Sequence, residues 1–202
     1  MVFDAPISFG FKCESPARQG EDTVATPMRH SHSRPSYAEA LAQSGVLTRL
    51  AAFDPHVAGT PPLGLDLPDS DIDILCHAPD PQAFAVALWE SYRDRPGFAM
   101  WQWQGSDRPV VARFHCAGWL FELFGQARPV AEQLGWRHFA IERRLLALGG
   151  QPLRTVVMAR RHAGAKTEPA FAQVLGLAGD PYAALLTLEG LDDDTLRARI
   201  GA

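Results

Sequence analysis

Between Val57 and Leu75 the chain reads VAGTPPLGLDLPDSDIDIL, and near its end two acids, Asp71 and Asp73, alternate with Ile72 and Ile74. A period of two describes a β-strand, with both carboxylates on one face and the isoleucines on the other. Two like charges roughly 6–7 Å apart repel, and burying them unpaired is costly. A divalent cation resolves the conflict, since Mg²⁺ prefers carboxylate oxygens and keeps positions open for substrate phosphates. Gly59-Thr60 stand upstream, with Gly59 twelve residues before Asp71. A glycine there lets backbone approach a ligand, and the hydroxyl and N–H groups beside it can bind phosphate oxygens. Ser70 is a further candidate for phosphate contact.

Glu122 is the only charge in Trp119-Leu-Phe-Glu-Leu-Phe, a run that reads as a strand covered on both faces. A lone buried carboxylate must be protonated, paired or metal-bound. Arg113 on the preceding strand-like segment is the natural ion-pair partner if no metal is present.

Taken together, these residues resemble the nucleotidyltransferase superfamily, whose fold is DNA polymerase beta-like. Its pattern is a strand ending in Gly-Ser or Gly-Gly, a short loop or helix, Asp-x-Asp on the next strand, and a third acid mid-strand beside it. Thr60 stands for the serine and keeps the hydroxyl. Glu122 takes the third place, where many members have aspartate, and Pro61-Pro62 stand where an arginine often follows. A narrower resemblance, over residues 36–190, is to the bacterial family known as domain of unknown function 4269. Ala58-Gly-Thr-Pro-Pro-Leu-Gly, Asp69-Ser-Asp-Ile-Asp, Glu122-Leu-Phe-Gly-Gln, Trp136-Arg-His, Lys166-Thr-Glu-Pro-Ala-Phe and Gly179-Asp-Pro-Tyr carry it. Gln126 and Arg137 recur in that pattern and are expected to face the pocket.

The resemblance implies Mg²⁺ or Mn²⁺ on Asp71, Asp73 and Glu122, and an NTP such as ATP whose β/γ-phosphates Gly59 and Thr60 hold. A nucleotidyl group would pass to a hydroxyl of a small molecule or protein, with pyrophosphate leaving. A catalytically inactive nucleotide-binding or protein-interaction module of the same fold, and a metal-dependent phosphohydrolase, are the alternatives. In the helical half, His138 and Glu142 lie four residues apart on one helix face, either to bind substrate or as an ordinary polar pair. Lys166, beside a helix start that Thr167 can cap, is a candidate phosphate contact.

Positioning these groups requires an α+β fold. A core of about four to five mixed strands flanked by helices is expected over 35–128, with a helical bundle over 129–202 and an irregular arm over 1–34. Ser36 caps a helix from Tyr37 to Phe53, with Glu39 completing a capping box. Pro81–Arg93 is helical. Phe98–Gln104, Pro109–Cys116 and Trp119–Phe124 read as strands joined by Gly105-Ser106-Asp107 and Ala117-Gly118. Trp101 and Trp103 share one sheet face and read as packing residues rather than base-stacking platforms. Helices are expected at Val130–Leu148, Leu153–Ala163, Pro169–Gly176, Pro181–Leu188 and Asp192–Ile200.

The 202 residues carry a net charge of −4, which gives no electrostatic reason to expect nucleic acid or an anionic membrane as partner. No apolar run is long enough to span a bilayer, and Cys13, Cys76 and Cys116 lack paired spacing, so the expected compartment is the cytoplasm. His30 and His32 lie in a short polar tract of the arm and read as solvated.

Overall fold

The computed structural model describes residues 34–104 and 107–201. The expected arm (apart from Arg34), with Cys13, His30 and His32, and the Gly105-Ser106 turn lie outside the described residues. Five strands form one mixed sheet: β1 (His56–Ala58), β2 (Ile72–His77), β3 (Ala99–Gln102), β4 (Val110–Cys116) and β5 (Trp119–Gln126). Their order is β1-β2-β5-β4-β3. β2 and β5 run parallel, while the other neighbours are antiparallel.

Parallel neighbours need a long crossover. Here it passes through helix α3 (Pro81–Tyr92), β3 and β4. The α3 helix starts where sequence chemistry puts it. Asp80 accepts the Gln82 and Ala83 N–H groups, and Pro81 fills the first position, where a missing N–H costs nothing. At the β4–β5 turn Ala117 and Gly118 both take positive φ, 51° and 74°, which suits the right-handed twist of a two-residue hairpin.

The sheet is covered on both faces. On one side Ile72, Ile74, Phe121 and Leu123 pack with Phe84, Leu88 and Tyr92 of α3 and with Ala40, Val46 and Leu50. Tyr92, Phe114 and Phe121 stack in sequence, with centroids 4.4 and 5.1 Å apart. On the other side Ala58, Leu75, Val111 and Phe124 meet the helical half. That half comprises α4 (Leu134–His162), α5 (Thr167–Val174), α6 (Pro181–Leu186) and α7 (Asp193–Ile200). Trp101 and Trp103 pack against this second core, as sheet-face residues do.

Two boundaries differ from expectation. The helix from Tyr37 forms with its capping box but ends at Ser44, because Gly45 takes left-handed φ 64°. Helix α2 (Val46–Arg49) and a 3₁₀ turn at Ala51–Phe53 complete the segment. The break expected at Gly149-Gly150 is present: Gly150 adopts the non-helical φ 56° and ψ −148°, which divides α4 into two helical stretches across a kink. The start of α4 is later than expected, since Val130–Glu132 forms a separate 3₁₀ turn. Cys76 and Cys116 are free buried thiols. No helix among the described residues is long and apolar enough to cross a membrane.

Candidate active site

In the β2–β5 register Asp73 stands directly beside Glu122. Asp71, two residues earlier, shares that face. One oxygen from each of the three carboxylates lies within 4.8 Å of the others. Burial, then the Asp71 and Glu122 charges, push Asp73 well above the usual carboxylate range. Burial likewise raises Asp71. Glu122 is pushed up to about 7 by burial and by Asp71, against the pull of Arg113. Arg113 faces Glu122 across the β4–β5 ladder, yet no ion pair joins them among the described residues. The ion-pair alternative for Glu122 is therefore not what the side chains adopt. Three crowded carboxylates form an all-oxygen donor set suited to a hard divalent ion, and the residues fit Mg²⁺ or Mn²⁺.

Gly59 sits against this cluster with φ 74°. A Cβ there would press on the Asp73 carboxylate, its Cγ only 3.1 Å away. Thr60 follows, its carbonyl accepting the N–H groups of Leu63 and Leu65 around a 3₁₀ turn. Beyond it the loop to Asp71 is held by three arginines. Arg154 donates to the Leu63 and Gly64 carbonyls, and Arg161 donates through Nε to Leu65 at 2.9 Å. Arg34 reaches the Leu67 and Ser70 carbonyls at 2.7 and 3.0 Å while its guanidinium lies over the Trp119 ring. The Ser70 hydroxyl accepts from the Leu67 N–H at 2.8 Å, so it serves the turn that presents Asp71.

A cleft of about 900 Å³ separates this sheet face from α4 and α5. Gly59, Thr60, Ser70 and the three acids line one wall, and His138 and Lys166 line the other. Two expected residues lie elsewhere. Arg137 is outside the cleft and grips Glu189 through two nitrogens, at 3.0 and 2.5 Å. Gln126 ends β5, about 13 Å along the strand from Glu122, where its carbonyl accepts the Ala78 N–H.

Two further expectations change. His138 bonds the Tyr182 carbonyl rather than Glu142, so the two are not a polar pair. Thr167 does not cap α5, because Lys166 holds the cap position and the Thr167 hydroxyl accepts from Arg161. Arg113, Arg161 and Glu168 also line the cleft. Arg113 was visible as a neighbour for Glu122, and Glu168 by its place inside the Lys166-Thr-Glu-Pro motif, whereas Arg161 had no local signal.

A family model described as Domain of unknown function (DUF4269) matches residues 39–188. No curated protein sequence matches the chain. Among solved structures, that of the GLD-2/RNP-8 complex is similar at TM-score 0.51 and 10% identity, over 81% of this chain and 74% of that one. Cid1 poly(U) polymerase with MgGTP bound is similar at TM-score 0.50 and 15% identity, over 76% of this chain and 48% of that one. This chain thus spans about half the length of Cid1. At such identities the likeness is one of fold, the α+β fold of nucleotidyltransferases.

Proposed function

The chain belongs to the DUF4269 family, and from that premise we propose that it is a divalent-metal-dependent nucleotidyltransferase acting on an NTP and a hydroxyl-bearing small molecule or protein. One observation carries the reading. Asp71, Asp73 and Glu122 gather within 4.8 Å beside a glycine whose Cβ would collide with Asp73.

Asp71, Asp73 and Glu122 would hold the ion, which when bound supplies charge neutralisation for the triphosphate and its leaving group. Gly59 and Thr60 line the cleft wall, where their N–H groups and the Thr60 hydroxyl would receive β- and γ-phosphate oxygens. Lys166 approaches from the opposite wall as a point charge for the same group. An acceptor oxygen attacks the α-phosphorus and forms one P–O bond. The α–β bridge breaks, and pyrophosphate departs with the bonding pair. The hydroxyl proton passes to a Glu122 carboxylate oxygen that the ion leaves free.

The test is incubation of the whole chain with labelled NTPs, Mg²⁺ or Mn²⁺ and a cell extract, beside the Asp71→Asn/Asp73→Asn variant. Label should transfer only with the parent protein, and pyrophosphate should appear only when acceptor is present. Equal labelling by both proteins overturns the proposal. Metal-dependent NTP binding without transfer identifies an inactive binding module instead, and acceptor-free release of phosphate identifies a hydrolase.

A further inference from the structure

The helical wall of the cleft holds three groups that the proposed chemistry leaves unused: His138 and Glu142 on α4, and Glu168 in the first turn of α5. His138 and Glu142 are each only 4% exposed. The His138 Nε2 lies 3.1 Å from the Tyr182 carbonyl. A carbonyl only accepts, so Nε2 carries a proton, and in the neutral ring Nδ1 presents a lone pair. That Nδ1 has no hydrogen-bond partner, and neither has Glu142 Oε1.

Glu168 lies close enough for its charge and that of Glu142 to oppose each other. The Lys166 and Arg161 charges act on Glu168, and that of Arg161 on Glu142, but the Arg161 Nε serves the Leu65 carbonyl and its Nη1 the Thr167 hydroxyl. Neither glutamate forms an ion pair among the described residues. Two buried acceptors on this wall, His138 Nδ1 and Glu142 Oε1, therefore lack a donor. A buried acceptor left unmet costs about 1–3 kcal/mol, which a donating ligand relieves.

Charge points the same way. Carboxylates lining the cleft outnumber its arginines and lysine by six to three. An NTP adds negative charge, so a second polyanion such as an RNA end would enter against repulsion.

We propose that this wall is the acceptor subsite and that it binds a cationic nitrogen, an ammonium or guanidinium, between Glu142, Glu168 and His138 Nδ1. An ammonium carries three N–H donors for these three acceptors. The acceptor class is thus a small hydroxyl-bearing amine, such as an amino sugar or amino alcohol. The hydroxyl rests on the transferase reading above; the cation does not.

The test is calorimetric titration of the full chain, saturated with Mg²⁺, using glucosamine and spermidine as cationic probes and glucose as the uncharged match. Both amines should bind and glucose should not. Glu142→Gln and Glu168→Gln, each checked for an intact thermal transition, should weaken amine binding about tenfold. Equal binding of glucose, amine affinity indifferent to both glutamine variants, or no binding by either amine overturns the subsite. Nucleotide transfer with failed amine binding removes this inference alone. Amine binding that depends on Glu142 and Glu168, without any transfer of label, removes the transferase reading and leaves the cation site.

Discussion

At Gly59 the backbone turns through φ 74° while the Asp73 carboxylate occupies the space a side chain would need. Alanine there meets both penalties, and Gly59→Ala should lose about 2–3 kcal/mol of stability in urea unfolding. Mg²⁺-dependent NTP binding should weaken with it, because Asp73 must move. Glu142 makes the opposite case. Burial, then the Glu168 charge, hold its carboxyl well above the usual range, against the attraction of Arg161. Below about pH 4.5 folded and unfolded chains both keep that proton; above it the unfolded chain releases it first, so stability falls as pH rises. Glu142→Gln should match the parent near pH 4 and exceed it by about 1–3 kcal/mol near pH 8, read from denaturation midpoints across pH. The acids were legible as residues, because alternation and a lone charge in an apolar run are local signals. Arg161 was not, since its partners Leu65 and Thr167 meet it only once α4 docks on the loop and on α5.

The loop from Leu63 to Ser70 shows what an element needs when it has no ladder of its own. Its carbonyls are satisfied by Arg34, Arg154 and Arg161, drawn from the start of the described chain and from α4. Arg34→Ala removes the two bonds at Leu67 and Ser70 and the stacking on Trp119. The fold should persist, but amides of residues 67–71 should exchange with solvent about tenfold faster in hydrogen exchange, and NTP affinity should drop as Asp71 loosens. Strands and capped helices were readable from their own residues: Ser36 with Glu39, Asp80 with Pro81, and Ala117-Gly118 all act locally. Elements that pass through glycine were readable in one place and not in another. The Gly149-Gly150 pair interrupts α4 where the sequence signalled an end, whereas Gly45 broke a helix expected to run on. Gln126 and Arg137 carried a motif resemblance but no local cue to direction, and their neighbours turned them from the cleft.

For the whole molecule, a cleft between sheet and helices makes ion binding and stability one equilibrium. At a hundredfold excess over Kd, Mg²⁺ should raise the Tm by about 5–10 °C, an effect that chelation reverses and Asp71→Asn/Asp73→Asn abolishes. Differential scanning calorimetry with and without the ion measures it. The parallel pairing of β2 with β5 adds a matter of timing. Asp73 meets Glu122 only after α3, β3 and β4 have been laid down and the last strand has slotted into the middle of the sheet. A chain emerging from the ribosome therefore has two acids and no centre for most of its synthesis. Tight ion capture becomes a signature of finished folding, never the seed that starts it.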